Sequence, residues 1–370
     1  MKKWIGSVAR LVAAAEGRLD ERRYAAPDHR PARVAPYVGY GTRTHLTVLG
    51  RVLRGAALGP SPEQAGSWEN LLATLRRFEP DEVPFACVAV DAGDTRRELT
   101  ANGEGHFLER ITLERPLPAG AEWHDVTYTV TRPAAAGPAR GRVLVPSPRA
   151  AFGVISDIDD TVVRTDATQL LRMARTLLFG NARTRLPFAG VAAFYQALAV
   201  GGVDGGPNPL FYVSSGPWNL YDLLVEFFEL QRIPMGPLLL RDWGIEAHEL
   251  LPTNHGAHKQ LAIRRVLAEY PALRFLLIGD SGQEDPEIYA SVVRDHPGRI
   301  LAVYIRDVTG SAERSARIAR LAEEVARAPV ELLLVPDTLA AATHAASRGW
   351  IAGAALESIA AGAAVDSGPG

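Results

Sequence analysis

One cysteine, Cys87, and three lysines, at positions 2, 3 and 259, are all that this chain of 370 residues carries of those two types. A lone cysteine excludes an internal disulfide framework and a cysteine-based zinc cluster, and it fits a reducing compartment. Long apolar runs are also missing: no stretch approaches the roughly 18–20 residues needed to cross a bilayer. The opening "MKKWIGSVARLV" begins basic, as a secretory leader does, but Arg10 interrupts its apolar part, so no signal peptide is expected. Neither sign of charge dominates. A net charge of −2 gives no general attraction to nucleic acid, and no basic groove studded with aromatics is present to recognise it. The expected location is cytoplasmic, with peripheral contact at the inner membrane surface as a further option.

What is present divides the chain into an N-terminal helix (1–30), a β-rich unit (31–145), an α/β unit (146–350) and an Ala/Gly-rich tail (351–370), read as frayed at its end. In the first segment Trp4, Ile5, Val8, Leu11, Val12 and Ala15 recur at helical spacing, a face that suits the protein's own sheet or a membrane surface. In the second, "HLTVLGRVL", "FACVAVDAG", "RRELTANGEGHFLERITL" and "WHDVTYTVTRP" are short, β-branched or alternating segments between Gly, Pro, Asp and Asn signals. They predict a small antiparallel β-sandwich, interrupted by a helix over 67–84 and followed by a linker over 132–142, where Pro, Gly and Ala accumulate. In the third, the apolar segments "AFGVIS", "LFYVSS", "RFLLIGD", "ILAVYIRD" and "VELLLVPD" alternate with helical patterns. Near-continuous apolar strands separated by helices predict a doubly wound, Rossmann-like parallel sheet covered on both faces.

Ligands bind such sheets beyond the carboxyl ends of the strands. Four of the five strands end there in a polar residue: Asp157, Ser214 or Ser215, Asp280 and Asp307. Asp157 and Asp159 on the first loop, with Asp280 and Asp285 on the third, predict an acidic pocket that a hard cation would make tolerable, and Mg²⁺ suits carboxylates and water best. Residues two apart on an extended segment point the same way, so Asp157 and Asp159 face one ligand. Two such carboxylates can divide the work, one attacking phosphorus and the other exchanging protons with the leaving group and with water. In a chain that uses Arg for nearly all its positive charge, Lys259 stands out, at the start of a helix leading into the third strand.

The set resembles the haloacid dehalogenase superfamily of aspartate-nucleophile phosphatases. Asp157, Asp159 and Thr161 in "VISDIDDT" form its first motif, Ser214 or Ser215 in "FYVSSG" the second, Lys259 the third, and Asp280 and Asp285 in "GDSGQED" the fourth. Within it, "DIDDTVVRT", "YVSSGPWNLYDLL", "HKQLAIRRVL" and the stretch from "IGDSGQED" to "YIRDV" look like the catalytic domain of the actin-patch-type phosphatidate phosphatases, distantly similar to the lipins. The resemblance implies a Mg²⁺-dependent phosphomonoesterase that converts phosphatidate to diacylglycerol and phosphate through an aspartyl-phosphate. It further implies Asp157 as nucleophile and Asp159 as general acid and base. Mg²⁺ would be held by Asp157, the Asp159 carbonyl and Asp280, with Asp285 in the same shell directly or through water. Ser214 (or Ser215), Thr161, Gly216 and Lys259 would meet the phosphoryl group. Asp160 reads as a loop-capping residue and Asp307 as a structural partner.

Between Thr161 and Ser214 there is room for a helix but not for a large cap, and an open site suits a bulky or membrane-embedded phosphomonoester. The stretch 169–185 has Leu170, Leu171, Leu177 and Leu178 at helical spacing beside Arg172, Arg175, Arg183 and Arg185, a pattern for a sheet-covering helix or one dipping into an anionic membrane. His248, His255 and His258 lack a convincing fourth zinc ligand and read as loop or cap residues, with contact to the phosphate site as the alternative for His258. "GYGTRT" lacks the setting of a dinucleotide loop. Core packing is expected for Trp218 and Tyr221, with contact to a substrate tail as the alternative. Two rival functions remain: a phosphatidate-binding module without turnover, against which Asp159 counts, and a phosphatase for another bulky monoester.

Overall fold

The computed structural model describes residues 30–55, 82–159, 161–162, 189–202, 206–241 and 255–367. The helices expected over 1–30, 67–84 and 169–185 fall outside these residues except for positions 30 and 82–84. So do Asp160, His248 and the minimal-cap expectation.

Eight strands form the first sheet: β1 (Ala32–Pro36), β2 (Gly39–Gly41), β3 (His45–Arg54), β4 (Cys87–Ala92), β5 (Thr95–Thr100), β6 (His106–Thr112), β7 (Trp123–Arg132) and β8 (Ala139–Leu144). Period-two alternation decides which side chains face inwards, and in β7 Val126, Tyr128 and Val130 are buried at every second position. The strand order is β1-β3-β2-β8-β7-β4-β5, with β6 also on β3. The first half of β3 pairs with β2, the second half with β1, and β6 runs along the strand's other edge. One pairing departs from the expected antiparallel arrangement. All eight strands belong to one continuous sheet around one apolar core, and β2 and β8 run parallel.

A second correction concerns 132–142, expected as a linker. Residues 139–144 are β8, hydrogen-bonded between β2 and β7. Its Gly and Ala reflect close packing: a Cβ on Gly141 would lie 2.8 Å from both Pro36 Cβ and the Tyr128 ring.

The second sheet holds β9 (Gly153–Asp157), β10 (Leu210–Pro217), β11 (Leu238–Arg241), β12 (Phe275–Asp280), β13 (Ile300–Arg306) and β14 (Glu331–Val335), in the order β11-β10-β9-β12-β13-β14. All its pairings are parallel. Five of these strands follow the apolar segments read from the sequence; the edge strand β11 was not anticipated. Among the described residues seven helices accompany the sheet: α1 (Val191–Val200), α2 (Tyr221–Leu230), α3 (His255–Glu269), α4 (Asp285–Asp295), α5 (Ala312–Val325), α6 (Thr338–Ser347) and α7 (Ala355–Ser367). α1, α2, α6 and α7 contribute to one apolar cluster, and α3, α4 and α5 to another. Burial on both faces explains why β12 is buried at every position. Within the Ala/Gly-rich tail, Ala355–Ser367 form helix α7, with Ile359 wholly buried, and the end read as frayed lies outside the described residues from 368 on. Low side-chain complexity hid a helix that packs through its small residues.

The two sheets share their cores. Tyr37 and Leu49 of the first join the cluster around α1 and α2, while Tyr40 and Leu144 join the one around α3 and α4. Tyr270 donates to the Gly41 carbonyl at 3.1 Å, and Arg110 pairs with Glu269 at 3.2 Å. Among the described residues no helix is long and apolar enough to cross a membrane.

Candidate functional site

From β9 the chain steps outward to β10 and β11, then crosses back through α3 to β12 and continues to β13 and β14. The direction of winding thus reverses between β9 and β12, and a crevice forms at such a switch point beyond the strand ends. Asp157 closes β9 and Asp280 closes β12, both fully buried. Asp285, the first residue of α4, is buried beside them. One carboxylate oxygen from each of the three lies within 4.8 Å of the others.

Lys259, on the first turns of α3 and only 3% exposed, places Nζ 2.7 Å from Asp157 Oδ1 and 2.7 Å from Asp285 Oδ1. It also donates to Gln283 Oε1 at 3.2 Å. Burial opposes the ammonium, but the two carboxylates outweigh it and keep the lysine charged. For Asp157, burial pushes the carboxyl well above its ordinary range; Lys259 pulls it back, and Asp285, Asp159 and Asp280 push it up again. Three buried carboxylates face a single ammonium here, and with burial that imbalance is what raises Asp157.

The remaining lone pairs are unequally used. Asp285 accepts from Lys259 through Oδ1 and from the Asp280 backbone N–H through Oδ2 at 3.2 Å. Asp280 Oδ1 accepts the N–H groups of Gly282 at 2.6 Å and Gln283 at 3.0 Å, an Asx-type turn that fixes the strand end. Asp157 Oδ2 is buried and accepts no hydrogen bond. Such an atom is costly to leave unmatched, and a divalent oxygen-seeking cation suits it.

Across the crevice, β10 brings Ser214 beside the first loop. Ser214 Oγ donates to Asp159 Oδ2 at 2.7 Å and accepts the Gly216 N–H at 2.9 Å. Ser214 is buried, whereas Ser215 is partly buried with an Oγ that makes no hydrogen bond. Thr161 is buried, its hydroxyl likewise without a partner, on a cleft it shares with Tyr195, Arg306 and Thr338. The structure thus gathers Asp157, Asp280 and Asp285, with Lys259 paired to Asp157 and Asp285, and sets Asp159, on the loop after β9, against Ser214 and Gly216 at the end of β10. His258, half-buried on α3, precedes Lys259, and Trp218 and Tyr221 are packed in the core.

Sequence reasoning missed the supports. Gln283 stands inside the quoted "GDSGQED", but its amide contact with Lys259 follows from the turn and not from spacing. Arg314 on α5 donates to the carbonyls of Ser281 and Gln283 and pairs with both oxygens of Glu287. It ties down the loop from Ser281 to α4; among the many arginines of "SAERSARIARL" nothing marked it. Asp307, read as a structural partner, accepts from Ser281 Oγ and from the N–H groups of Thr309 and Gly310.

Comparison with known proteins places this crevice in context. Residues 152–307 match the family described as "Phosphatidate phosphatase APP1, catalytic domain". Phosphatidate phosphatase APP1 of Saccharomyces cerevisiae is 29% identical over 222 residues, which cover 59% of this chain and 34% of that protein. An uncharacterized protein of Schizosaccharomyces pombe is 27% identical over 258 residues, covering 65% of this chain and 40% of its own. The chain therefore spans well under half the length of either relative. Among solved structures, a carbohydrate acetylesterase from Xanthomonas citri aligns over 81% of this chain and 68% of its own with 12% identity and a TM-score of 0.26, too low to argue a shared fold.

Proposed function

We propose, from the match of residues 152–307 to the family described as "Phosphatidate phosphatase APP1, catalytic domain", that this protein hydrolyses a phosphomonoester, with phosphatidate as substrate and diacylglycerol and phosphate as products. The observation that carries the reading is the buried cluster of Asp157, Asp280 and Asp285, with Lys259 paired to the first and the last of them, at the switch point of a parallel sheet. We read that sheet as a Rossmann-like fold of the haloacid dehalogenase type.

The residues fit Mg²⁺. Asp157 Oδ2 lacks a protein donor, and three buried carboxylates face a single ammonium. Asp157 and Asp280 would hold the ion, with the Asp159 carbonyl completing the protein's share, while Asp285, both of whose oxygens already accept protein donors, supports the site by fixing Lys259. When bound, Mg²⁺ would supply charge neutralisation between nucleophile and phosphoryl oxygens.

In the reaction, an Asp157 carboxylate oxygen attacks phosphorus, the ester P–O bond breaks, and Asp159 gives its proton to the departing alkoxide. Water then attacks the acyl phosphate, Asp159 takes the water's proton, and phosphate leaves with Asp157 restored. Ser214 and Lys259 donate to the phosphoryl oxygens throughout, and the Gly216 N–H keeps Ser214 in place.

The full chain with Mg²⁺ is expected to release phosphate from phosphatidate in mixed micelles, and Asp157→Asn to lower kcat by about 10³-fold or more. Phosphatidate binding without release from any monoester would favour a lipid-binding module. The contact between Asp159 and Ser214 supports turnover, because binding alone needs no proton donor at that position.

A further inference from the structure

The N-terminal sheet touches the α/β unit at a place that binding of a phosphoryl group would feel. After Ser214–Gly216 the chain passes Pro217, makes a single 3-10 turn over Trp218–Leu220 and enters α2 at Tyr221. Neither the turn nor the helix has a side-chain cap of its own. A helix entry without caps leaves N–H groups unmatched and the preceding loop free to shift.

The N-terminal sheet supplies the missing fixture. The Tyr37 ring stacks on Trp218 with centroids 4.9 Å apart and planes 4° from parallel, and it lies 4.0 Å from the Tyr221 ring. The next residue, Val38, donates its N–H to Tyr221 Oη at 2.6 Å. Arg51 of β3, only 4% exposed, pairs with Asp222 on the first turn of α2 at 3.3 Å. Four contacts thus converge on residues 218–222, and all of them come from residues 37–51.

We propose that Tyr37 is a positioning residue for the phosphate-binding loop: by clamping Trp218 and Tyr221 it fixes Ser214 and Gly216, so that the N-terminal sheet is part of the catalytic apparatus. The assignment of the loop to phosphate binding rests on the proposed function above. A clamped loop meets the phosphoryl group without first being ordered, and small displacements of such groups cost large factors in binding and rate. The ring of Tyr37 does this work, since its own hydroxyl makes no hydrogen bond.

The test uses the full chain and three variants, Tyr37→Leu, Tyr37→Phe and Tyr221→Phe, with Mg²⁺. Turnover of phosphatidate and calorimetric binding of inorganic phosphate are measured on each, and folding is followed by circular dichroism. Tyr37→Leu is expected to raise KM and the phosphate Kd about tenfold, with a smaller fall in kcat. Tyr37→Phe keeps the stack and should match the unmodified chain. Tyr221→Phe strands the Val38 N–H and should shift KM in the same direction by less, which keeps the idea testable should Tyr37→Leu fail to fold. Folded Tyr37→Leu with unchanged KM and phosphate Kd overturns the proposal, as does a loss of kcat that merely tracks lost folded protein. An unmodified chain that turns over no ester sinks the phosphatase reading alone, provided phosphate binding still weakens in Tyr37→Leu and survives in Tyr37→Phe.

Discussion

A Cβ placed on Gly279 would lie 2.5 Å from Asp285 Oδ2 and 2.8 Å from the Tyr289 ring. The glycine before Asp280 is therefore the space into which Asp285 leans to accept the Asp280 N–H and hold Lys259. Gly279→Ala should displace the Asp285 carboxylate, costing about 1–3 kcal/mol of stability through overpacking. Activity should fall further than that loss of stability explains, because Lys259 loses one of its two carboxylate partners. Thermal melts and kcat/KM measured together check this; a stable, fully active variant would mean that Asp285 can retreat harmlessly. At this scale the sequence was most legible where a side chain's chemistry is unusual for its surroundings. Asp157 and Asp280 could be found because carboxylates at the ends of apolar strands need a reason. The mutual contact of Lys259 and Asp285, and the service of Gly279 to both, could not, since they depend on how α3 and α4 meet at the strand ends.

Among the elements, the loop from Ser281 to α4 and the strand β8 show opposite limits of pattern reading. The loop was recognised by its motif, but what fixes it is Arg314, reaching in from α5 to bond Ser281 O at 2.7 Å and the Glu287 carboxylate. Burial works against the Glu287 charge, yet the Arg314 hydrogen bond, with Arg317 behind it, holds this carboxyl below its ordinary range. A depressed carboxyl stabilises the fold at pH above its unfolded value, about 4.3, and that stability is lost as pH falls through the folded value. Removing the ion pair by Glu287→Gln is expected to cost about 1 kcal/mol near neutral pH, given its partial exposure, and to shrink the difference from the unmodified chain at pH below 4. Melting curves across that range decide it; a gap that widens in acid would reverse the sign and refute the clamp. β8 was hidden because Ala, Gly and Pro signify looseness in a linker and close approach in a sheet, and local composition is the same for both. Gly141→Val separates the meanings. In β8 the side chain collides with Pro36 and Tyr128, and a loss of about 1–3 kcal/mol is expected, whereas a linker would absorb the change.

For the molecule as a whole, fold and site meet in one electrostatic problem. The parallel sheet was readable because strands buried on both faces spell continuous apolar runs, and its strand ends gave the position of the site. The joining of the two sheets was not readable, because Tyr37, Tyr40, Leu49 and Leu144 are ordinary core residues until the partner surface is known. What the assembled crevice contains is three buried carboxylates against one ammonium, an arrangement whose repulsion destabilises the metal-free protein. Asp280→Asn isolates this cost. Its Oδ1 can still accept the Gly282 and Gln283 N–H groups, so the turn is kept while one charge is removed. The variant is therefore expected to melt higher than the unmodified chain in EDTA. Added Mg²⁺ should reverse the order: at one hundred times Kd a ligand bound only to the folded state contributes about 2.7 kcal/mol, which the unmodified chain gains and Asp280→Asn largely forgoes. Melting temperatures of both proteins with EDTA, Mg²⁺ and Ca²⁺ provide the measurement. Equal Mg²⁺ shifts in the two would remove Asp280 from the metal site, and a lower melting point for the variant in EDTA would show that the carboxylate's other contacts outweigh the repulsion.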